Sequence, residues 1–405
     1  LHTAAWVEGR GRRQRHTEMG KQALVNPTGF KASHLGGSHI KGVRPTLKRA
    51  GTASALVMRL QQHHLQTFCS QKGRSGEPGN AGANHRHITS AGHGGMLTVR
   101  SAPARAATAM QQAQLANWLR QHSGVELESM TPVGGGCIHR AWRLQLRNGS
   151  LLFAKTNQAA QLPVLEAEAE GLRALAAAAA APLVVPQPLG CAAVDGEAVL
   201  LMSWLTISNS HEPRDWAALG EGLARLHRRS LVNADGRFGW HHDNFIGSGP
   251  QANGWRRSWG HFFAEQRLGQ QLALAERGGK PLAGSQALLE RVPDWLANHP
   301  TDPCLVHGDL WRGNAGLLAN GGCSLFDPAV YRGDREVDLA MARLFGGFPA
   351  AFFQGYQHAW PLPAGSELRV ELYNLYHLLN HANLFGGSYW QQSATSIQTL
   401  LKTWD

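Results

Sequence analysis

The sequence predicts an α+β chain of two lobes, a small antiparallel β-sheet lobe with one helix followed by a mostly helical C-terminal lobe. Three observations carry this expectation. Residues 130–205 form short apolar strands around one long Ala- and Leu-rich helix. After 213, apolar residues recur every three to four positions. Between the later helices lies a polar run, "HGDLWRGN", backed by a hairpin that ends in "LFDP".

The formal charge of the 405-residue chain is +11, unevenly spread. Residues 1–110 hold 16 Lys+Arg against Glu8, Glu18 and Glu77, leaving 23 basic and 25 acidic residues, a balance of −2, for the rest. That first segment, as in "SQKGRSGEPGNAGANHRHITSAGHGG", has no sustained apolar period. It cannot bury enough apolar surface to offset its chain entropy and is predicted to be disordered. Three readings of it stand: a basic arm for nucleic acid or acidic surfaces, an organellar transit peptide, or an upstream extension before a true start at Met96 or Met110. Fold reasoning therefore excludes it. The cysteines (Cys69, Cys137, Cys191, Cys304, Cys323) form no CxxC pair, which argues against a disulfide scaffold or a zinc site. No run of 18 apolar residues exists and "ALAAAAAAPLVV" is too short to span a bilayer, so the expectation is a cytoplasmic protein with no membrane partner.

From 111 to 205 the elements follow in order. "QQAQLANWLRQHSG" reads as a short helix closed by Gly124. "ESMTPVGGGCIHRAWRLQLRNGSLLFAKTN" reads as two or three strands, with alternation in "RAWRLQL" and a turn at "RNGS". "PVLEAEAEGLRALAAAAA" is a helix stopped before Pro182, "PLVVPQPLG" is extended, and "EAVLLMSWL" is an apolar strand that ends the lobe. From 206 to 405 the texture is helical. "EPRDWAALGEGLARLHRRS" places Leu219, Leu223 and Leu226 on one face. "SWGHFFAEQRLGQQLALAE", "GSQALLERVPDWLANH", "EVDLAMARLFGGF", "AFFQGYQHAW" and "ELRVELYNLYHLLNHANLF" follow, interrupted by a Gly/Asn-rich loop, "FGWHHDNFIGSGPQANGW". A β-rich lobe joined to a helical one can hold a nucleotide at the joint.

Asp309 and Asn314 are five residues apart, as in the catalytic-loop pattern H-R-D-x-x-x-x-N, with His307 at the first position and Gly308 in place of Arg. In such a loop the aspartate accepts the proton of an attacking hydroxyl, and the asparagine oxygen suits Mg²⁺. "AGLLANGGCSLFDP" reads as strand, turn and strand, returning Asp327 toward Asn314. The bland alternative is an Asx-type turn. Gly134, Gly135 and Gly136 make a turn whose backbone N–H groups could approach phosphates, and Lys155 ends the returning strand. One of Glu166, Glu168 and Glu170 should pair with Lys155, the other two forming a solvated acidic face.

The segments "VGGGCIHRAWRL", "FAKTN", "EAEAEGLRAL", "NFIGSGPQANGW", "HGDLWRGN", "DPAVYRGDREVDLAM" and "LYHLLNHANLFGG" resemble the fructosamine kinase (ketosamine-3-kinase) family across 111–405. The resemblance implies a protein-kinase-like bilobal fold of the aminoglycoside-phosphotransferase type. It implies ATP-dependent phosphorylation of the sugar 3-hydroxyl of a ketosamine on a free amine or a protein lysine, whose labile product eliminates and frees the amine. Asp309 would then be the base, Asn314 and Asp327 the Mg²⁺ ligands, and Lys155 the phosphate contact oriented by Glu168. Gly134, Gly135 and Gly136 would form the phosphate loop, and backbone groups of Met202, Ser203, Trp204 and Leu205 would meet the adenine. Trp311 would stack on the sugar, with core packing as its alternative, and Asp338 would brace the catalytic loop. Cys137, inside the phosphate loop, is either a redox switch or an inert turn residue.

Two departures from protein kinases matter. "DPA" replaces DFG, and only "PAVYRGDREV" separates Asp327 from Asp338, too little for a regulated loop. A small molecule or side-chain adduct is favoured over an extended peptide. Another small-molecule kinase of this fold, for an aminoglycoside, choline or a sugar, stays open. So does a nucleotide-binding regulator or nucleic-acid binder using the basic arm, although the −2 balance of the folded part speaks against nucleic acid. Neither the preferred ketosamine nor the oligomeric state is read from the sequence.

Overall fold

Five of the strand segments pair into one antiparallel sheet. The computed structural model describes residues 112–121, 124–134, 139–209 and 212–405. The expectations of disorder over 1–110 and of a phosphate loop containing Gly135, Gly136 and Cys137 lie outside the described residues. Strands β1 (Leu127–Val133), β2 (Arg140–Leu146), β3 (Leu151–Gln158), β5 (Pro188–Val194) and β6 (Glu197–Ser203) are ordered β1-β2-β3-β6-β5. In β6, five consecutive apolar residues are buried, because both faces of the sheet are covered. On one face Val199 and Leu201 pack with Trp142, Leu144 and the helix α1 (112–121), through Leu115 and Leu119. On the other, Ala198, Leu200 and Met202 meet Leu165, Leu172 and Leu175 of α2 (Leu162–Ala178). The sheet thus carries two helices rather than one.

This second apolar cluster continues without a break into the helical lobe. Leu219, Leu223 and Leu226 of α3 (Pro213–Arg229) are fully buried, as their spacing predicts, beside Leu317 and Leu325. Those last two belong to the hairpin β10 (Ala315–Leu317) and β11 (Cys323–Leu325), which forms as expected around "NGG". Directly after α2, the two-residue strand β4 (Leu183–Val184) pairs parallel with β11, Leu183 opposite Cys323 and Val184 opposite Ser324.

Two readings are corrected. The Gly/Asn-rich segment contains a small hairpin, β7 (Asn244–Ile246) with β8 (Gly249–Gln251). It is held by polar side chains rather than apolar ones: Asn244 donates to the Val330 carbonyl at 2.8 Å, and Gln251 donates to Asn244 Oδ1 and to the Ala329 carbonyl. The helix α4 (259–277) is not regular, since Phe263–Gly269 is a π-helix. That extra residue directs Arg267, fully buried, onto the face of Tyr331, 3.8 Å from the ring centroid, where it donates to Asn253 Oδ1 at 2.8 Å. The remaining elements are α5 (Ser285–Ala297), β9 (Cys304–Val306), β12 (Tyr331–Gly333), α6 (Glu336–Leu344), α7 (Ala350–Ala359), α8 (Ser366–Phe385) and α9 (Tyr389–Trp404). No helix among the described residues is long and apolar enough to cross a membrane.

Helices α3 and α7 cross with bare backbone at the contact. A Cβ on Gly220 would lie 2.0 Å from the Phe352 carbonyl oxygen, and one on Gly355 would lie 2.1 Å from that of Ala217. Gly→Ala usually helps a helix by up to about 1 kcal/mol. Here Gly220→Ala is expected to cost about 1–3 kcal/mol through overpacking, read as a lower urea midpoint; an unchanged or raised midpoint contradicts the crossing.

Candidate active site

Lys155 is the centre of the site. Its position on β3 turns the side chain under the sheet, where Nζ lies 2.7 Å from Glu168 Oε1 and 2.6 Å from Asp327 Oδ1. Lys155 and Glu168 are buried, whereas 43% of the Asp327 side chain is exposed to the cleft. Burial alone would push the ammonium down, but the carboxylates of Asp327 and Glu168 outweigh it and hold Lys155 above its ordinary value. Of the three helix glutamates, Glu168 is the one that pairs. Glu166 is exposed, but Glu170 is not part of a solvated face: it is half-buried and accepts from the Trp240 indole at 2.8 Å.

The polar loop follows β9. His307 N and Gly308 N donate to the two carboxylate oxygens of Asp338, at 2.7 and 2.9 Å. His227, from α3, completes the brace with Nε2 3.0 Å from Asp338 and Nδ1 2.9 Å from the Tyr356 hydroxyl. The Asp309 amide donates to His307 Nδ1 at 3.3 Å, and His307 Nε2 lies 3.0 Å from the Phe326 carbonyl, which selects the neutral tautomer protonated on Nε2. Burial favours the same neutral form by pushing His307 down. Gly308 has φ +80°, and a Cβ there would meet the Ala329 carbonyl oxygen at 2.0 Å. An arginine, as in the protein-kinase pattern, cannot occupy this position.

Asn314 ties the loop to the hairpin. Its Nδ2 donates to Asp309 O at 2.9 Å, Asp309 Oδ2 at 3.1 Å and Asp327 O at 3.3 Å, leaving Oδ1 as its remaining ligand atom. This is more than a local Asx turn, because the bonds span both motifs. Burial, with Asp327 adding to it and Asn314 opposing, lifts Asp309 to about 7. Asp327 itself adopts φ +58°, a left-handed backbone that few non-glycine residues take.

These groups face one cavity of about 410 Å³, lined by Gly134, Lys155, Glu168, Met202, Ser203, Leu205, Asp309, Trp311, Asn314 and Asp327. Asp338, His307 and Glu170 lie outside this lining, as does Trp204, whose ring packs 6.2 Å from Phe153 beneath the Arg143 guanidinium. Trp311 is half-buried on the cavity wall and folds over Gly313, where a Cβ would fall 2.2 Å from the ring. It is therefore not a core residue. His139, Asn244, Phe245 and Gly247 also line the cavity. They escaped notice because their segments read as turn and loop, although "NFIG" lay within a motif already quoted. Burial, then Lys155, pushes His139 down to about 4. Cys191, Cys304 and Cys323 are free thiols, and burial pushes Cys323 up to about 12.

Asp338 gives a pH signature. Burial opposes its ionisation, but His227, His307 and the Gly308 amide outweigh it and hold the carboxyl below its ordinary value. A depressed carboxyl contributes stability above its unfolded value of about 3.9, lost as pH falls through the folded value. Asp338→Ala should cost ~3 kcal/mol or more at neutral pH, since two buried N–H groups lose their acceptor. The stability gap between wild type and Asp338→Asn should narrow below about pH 4; an equal gap at neutral and acid pH contradicts the brace.

Comparison with known proteins bears on the whole arrangement. The profile of the fructosamine kinase family matches residues 110–403. A "Probable ketoamine kinase" of Synechocystis sp. is 43% identical over 276 residues, which are 68% of this chain and 91% of that protein. The chloroplastic protein-ribulosamine 3-kinase of Arabidopsis thaliana is 36% identical over 297 residues, 72% of this chain and 88% of the relative. The crystal structure of a "putative fructosamine-3-kinase" from Thermobifida fusca aligns with TM-score 0.62 and 31% identity over 71% of this chain and 98% of that one. The two-lobed architecture is the kinase-like one, and the chain belongs to the fructosamine kinase family.

Proposed function

We propose that the chain transfers the γ-phosphoryl group of ATP to the sugar 3-hydroxyl of a ketosamine, a ribulosamine or fructosamine adduct of a free amine or protein lysine. In this reading 111–205 is the nucleotide lobe and 206–405 the acceptor lobe. One observation carries it: Lys155 and Glu168 from the sheet side meet Asp309, Asn314 and Asp327 from the helical side around a single cavity. That is the set phosphoryl transfer needs, where alignment and charge neutralisation do most of the work.

Asp309 Oδ2 accepts the proton of the acceptor hydroxyl as its oxygen bonds to the γ-phosphorus and ADP departs. Asn314, donating to that same carboxylate, holds it in place. Lys155 neutralises phosphate oxygens, and Glu168 keeps its ammonium aimed into the cleft. Backbone groups of 202–205 and the turn at Gly134 face adenine and phosphates. Asn314 Oδ1 and the cleft-exposed Asp327 carboxylate are hard oxygen donors that fit Mg²⁺ and would hold it. Bound there, the ion neutralises charge developing on the β- and γ-phosphates. Trp311 offers its face to the sugar ring. The segment after Asp327 pairs as β12 with β9, so no free loop is left to seat an extended peptide, which favours a compact acceptor. Elimination of the 3-phosphate would then release the amine.

ATP consumption should be measured over synthetic ribulosamines, erythrulosamines and fructosamines, with aminoglycosides and choline as controls. Turnover confined to the ketosamines is expected, and faster turnover of a control overturns the substrate assignment. Asp309→Asn should lower kcat at least ~10²-fold, the scale of a positioned base, with ATP binding retained. Near-normal turnover removes Asp309 from that role. Lys155→Ala should weaken ATP binding or turnover; an unchanged ATP titration counts against its phosphate contact.

A further inference from the structure

Outside the cleft, three ligand-bearing side chains converge where α2 meets the segment before β7. Glu170 Oε1 lies 2.7 Å from His241 Nε2, and Glu170 Oε2 lies 3.0 Å from His242 Nε2. All three ligand atoms fall within 4.8 Å of one another. The Trp240 indole donates to Glu170 Oε1 at 2.8 Å, orienting the carboxylate as partners behind a metal ligand do. The imidazoles stand perpendicular with centroids 4.3 Å apart, which keeps adjacent residues from blocking each other.

We propose that Glu170, His241 and His242 bind a divalent transition-metal ion of the zinc type. Two neutral imidazoles and one carboxylate are the donor set of three-ligand zinc sites, which leave the fourth position to water. Each histidine would carry its N–H on Nδ1 and offer Nε2 to the ion. The cysteine spacing argued against a zinc site, but this donor set contains no thiolate and does not depend on cysteine. A second cluster, His299, Asp334 and Glu336, lacks such freedom: Asp334 accepts from Tyr373 and His299 at 2.6 Å each, and Glu336 takes both arms of the Arg369 guanidinium.

The position gives the ion a purpose. Val164, Ala167 and Glu168 of α2 line one side of the cleft, while Asn244, Phe245 and Gly247 line another. An ion shared by Glu170 and His241–His242 ties these two walls together just behind the lining residues. It is a clamp on the helix that presents Glu168 to Lys155.

The test uses the full chain. Zn²⁺ is titrated against a chromophoric chelator, and Co²⁺ absorption is recorded as a reporter of coordination. Wild type should take up one equivalent more than the His241→Ala/His242→Ala variant, and the Co²⁺ band should vanish in that variant. Glu170→Gln should weaken this equivalent ~10-fold or more, and millimolar Mg²⁺ should not displace it. Melting in EDTA checks that the variants fold, with His242→Ala alone replacing the double variant if it does not. Hydrogen exchange over 162–178 and 240–247 should slow on adding zinc to wild type only. Equal zinc uptake by wild type and variant overturns the site, and unchanged exchange with zinc bound overturns the clamp.

Discussion

A buried ammonium cannot be left alone. Lys155 sits where water cannot reach it well, and stripping away its partners would leave a charge whose burial costs several kcal/mol. Its two carboxylates come from different parts of the fold, Glu168 from α2 and Asp327 from the end of the β10–β11 hairpin. Satisfying one cation therefore fixes the depth of the helix against the sheet and the approach of the helical lobe to both. The continuous apolar cluster from Leu165 through Leu219 to Leu325 supplies much of the stability, and the ion triplet supplies the register.

A second polar device does the same for the loop that carries Asp309. Asp338 gathers two consecutive backbone amides and the His227 imidazole, so the turn at His307–Gly308 is held from below while its reactive residue faces the cleft. The turn succeeds only because residue 308 has no side chain. The α3–α7 contact obeys the same logic at Gly220 and Gly355. In each case close backbone approach replaces side-chain packing, and at Gly220 and Gly355 it forbids substitutions that helix propensity would welcome.

Much of this was legible in the sequence. Alternation exposed β2, the unbroken apolar run marked β6 as a strand, and the spacing of Asp309 and Asn314 with the hairpin to Asp327 pointed to three residues that line the cleft. What escaped notice was non-periodic or long-range. The π-helix at Phe263–Gly269 that delivers Arg267 is a hydrogen-bonding detail inside a segment whose composition reads simply as helix. The β7–β8 hairpin holds through Asn and Gln side chains bonded to distant carbonyls, which period-two reasoning cannot see. Glu170 looked like surface decoration because its partners are some seventy residues away.

The two-residue pairing of β4 with β11 has a mechanical consequence. The chain leaves the last turn of α2 almost directly into those hydrogen bonds, so that end of the helix is pinned to the hairpin that delivers Asp327. That tie restrains sliding of the helix at this end more than rotation of its far end. At 1.5 Å of rise per residue Glu168 lies roughly 15 Å from that tie, so a rotation of about 10° would carry it ~2.5 Å. A twist that small would part the carboxylate from its ammonium, so the stiffness of this anchored end sets how firmly the charge at the heart of the cleft is held.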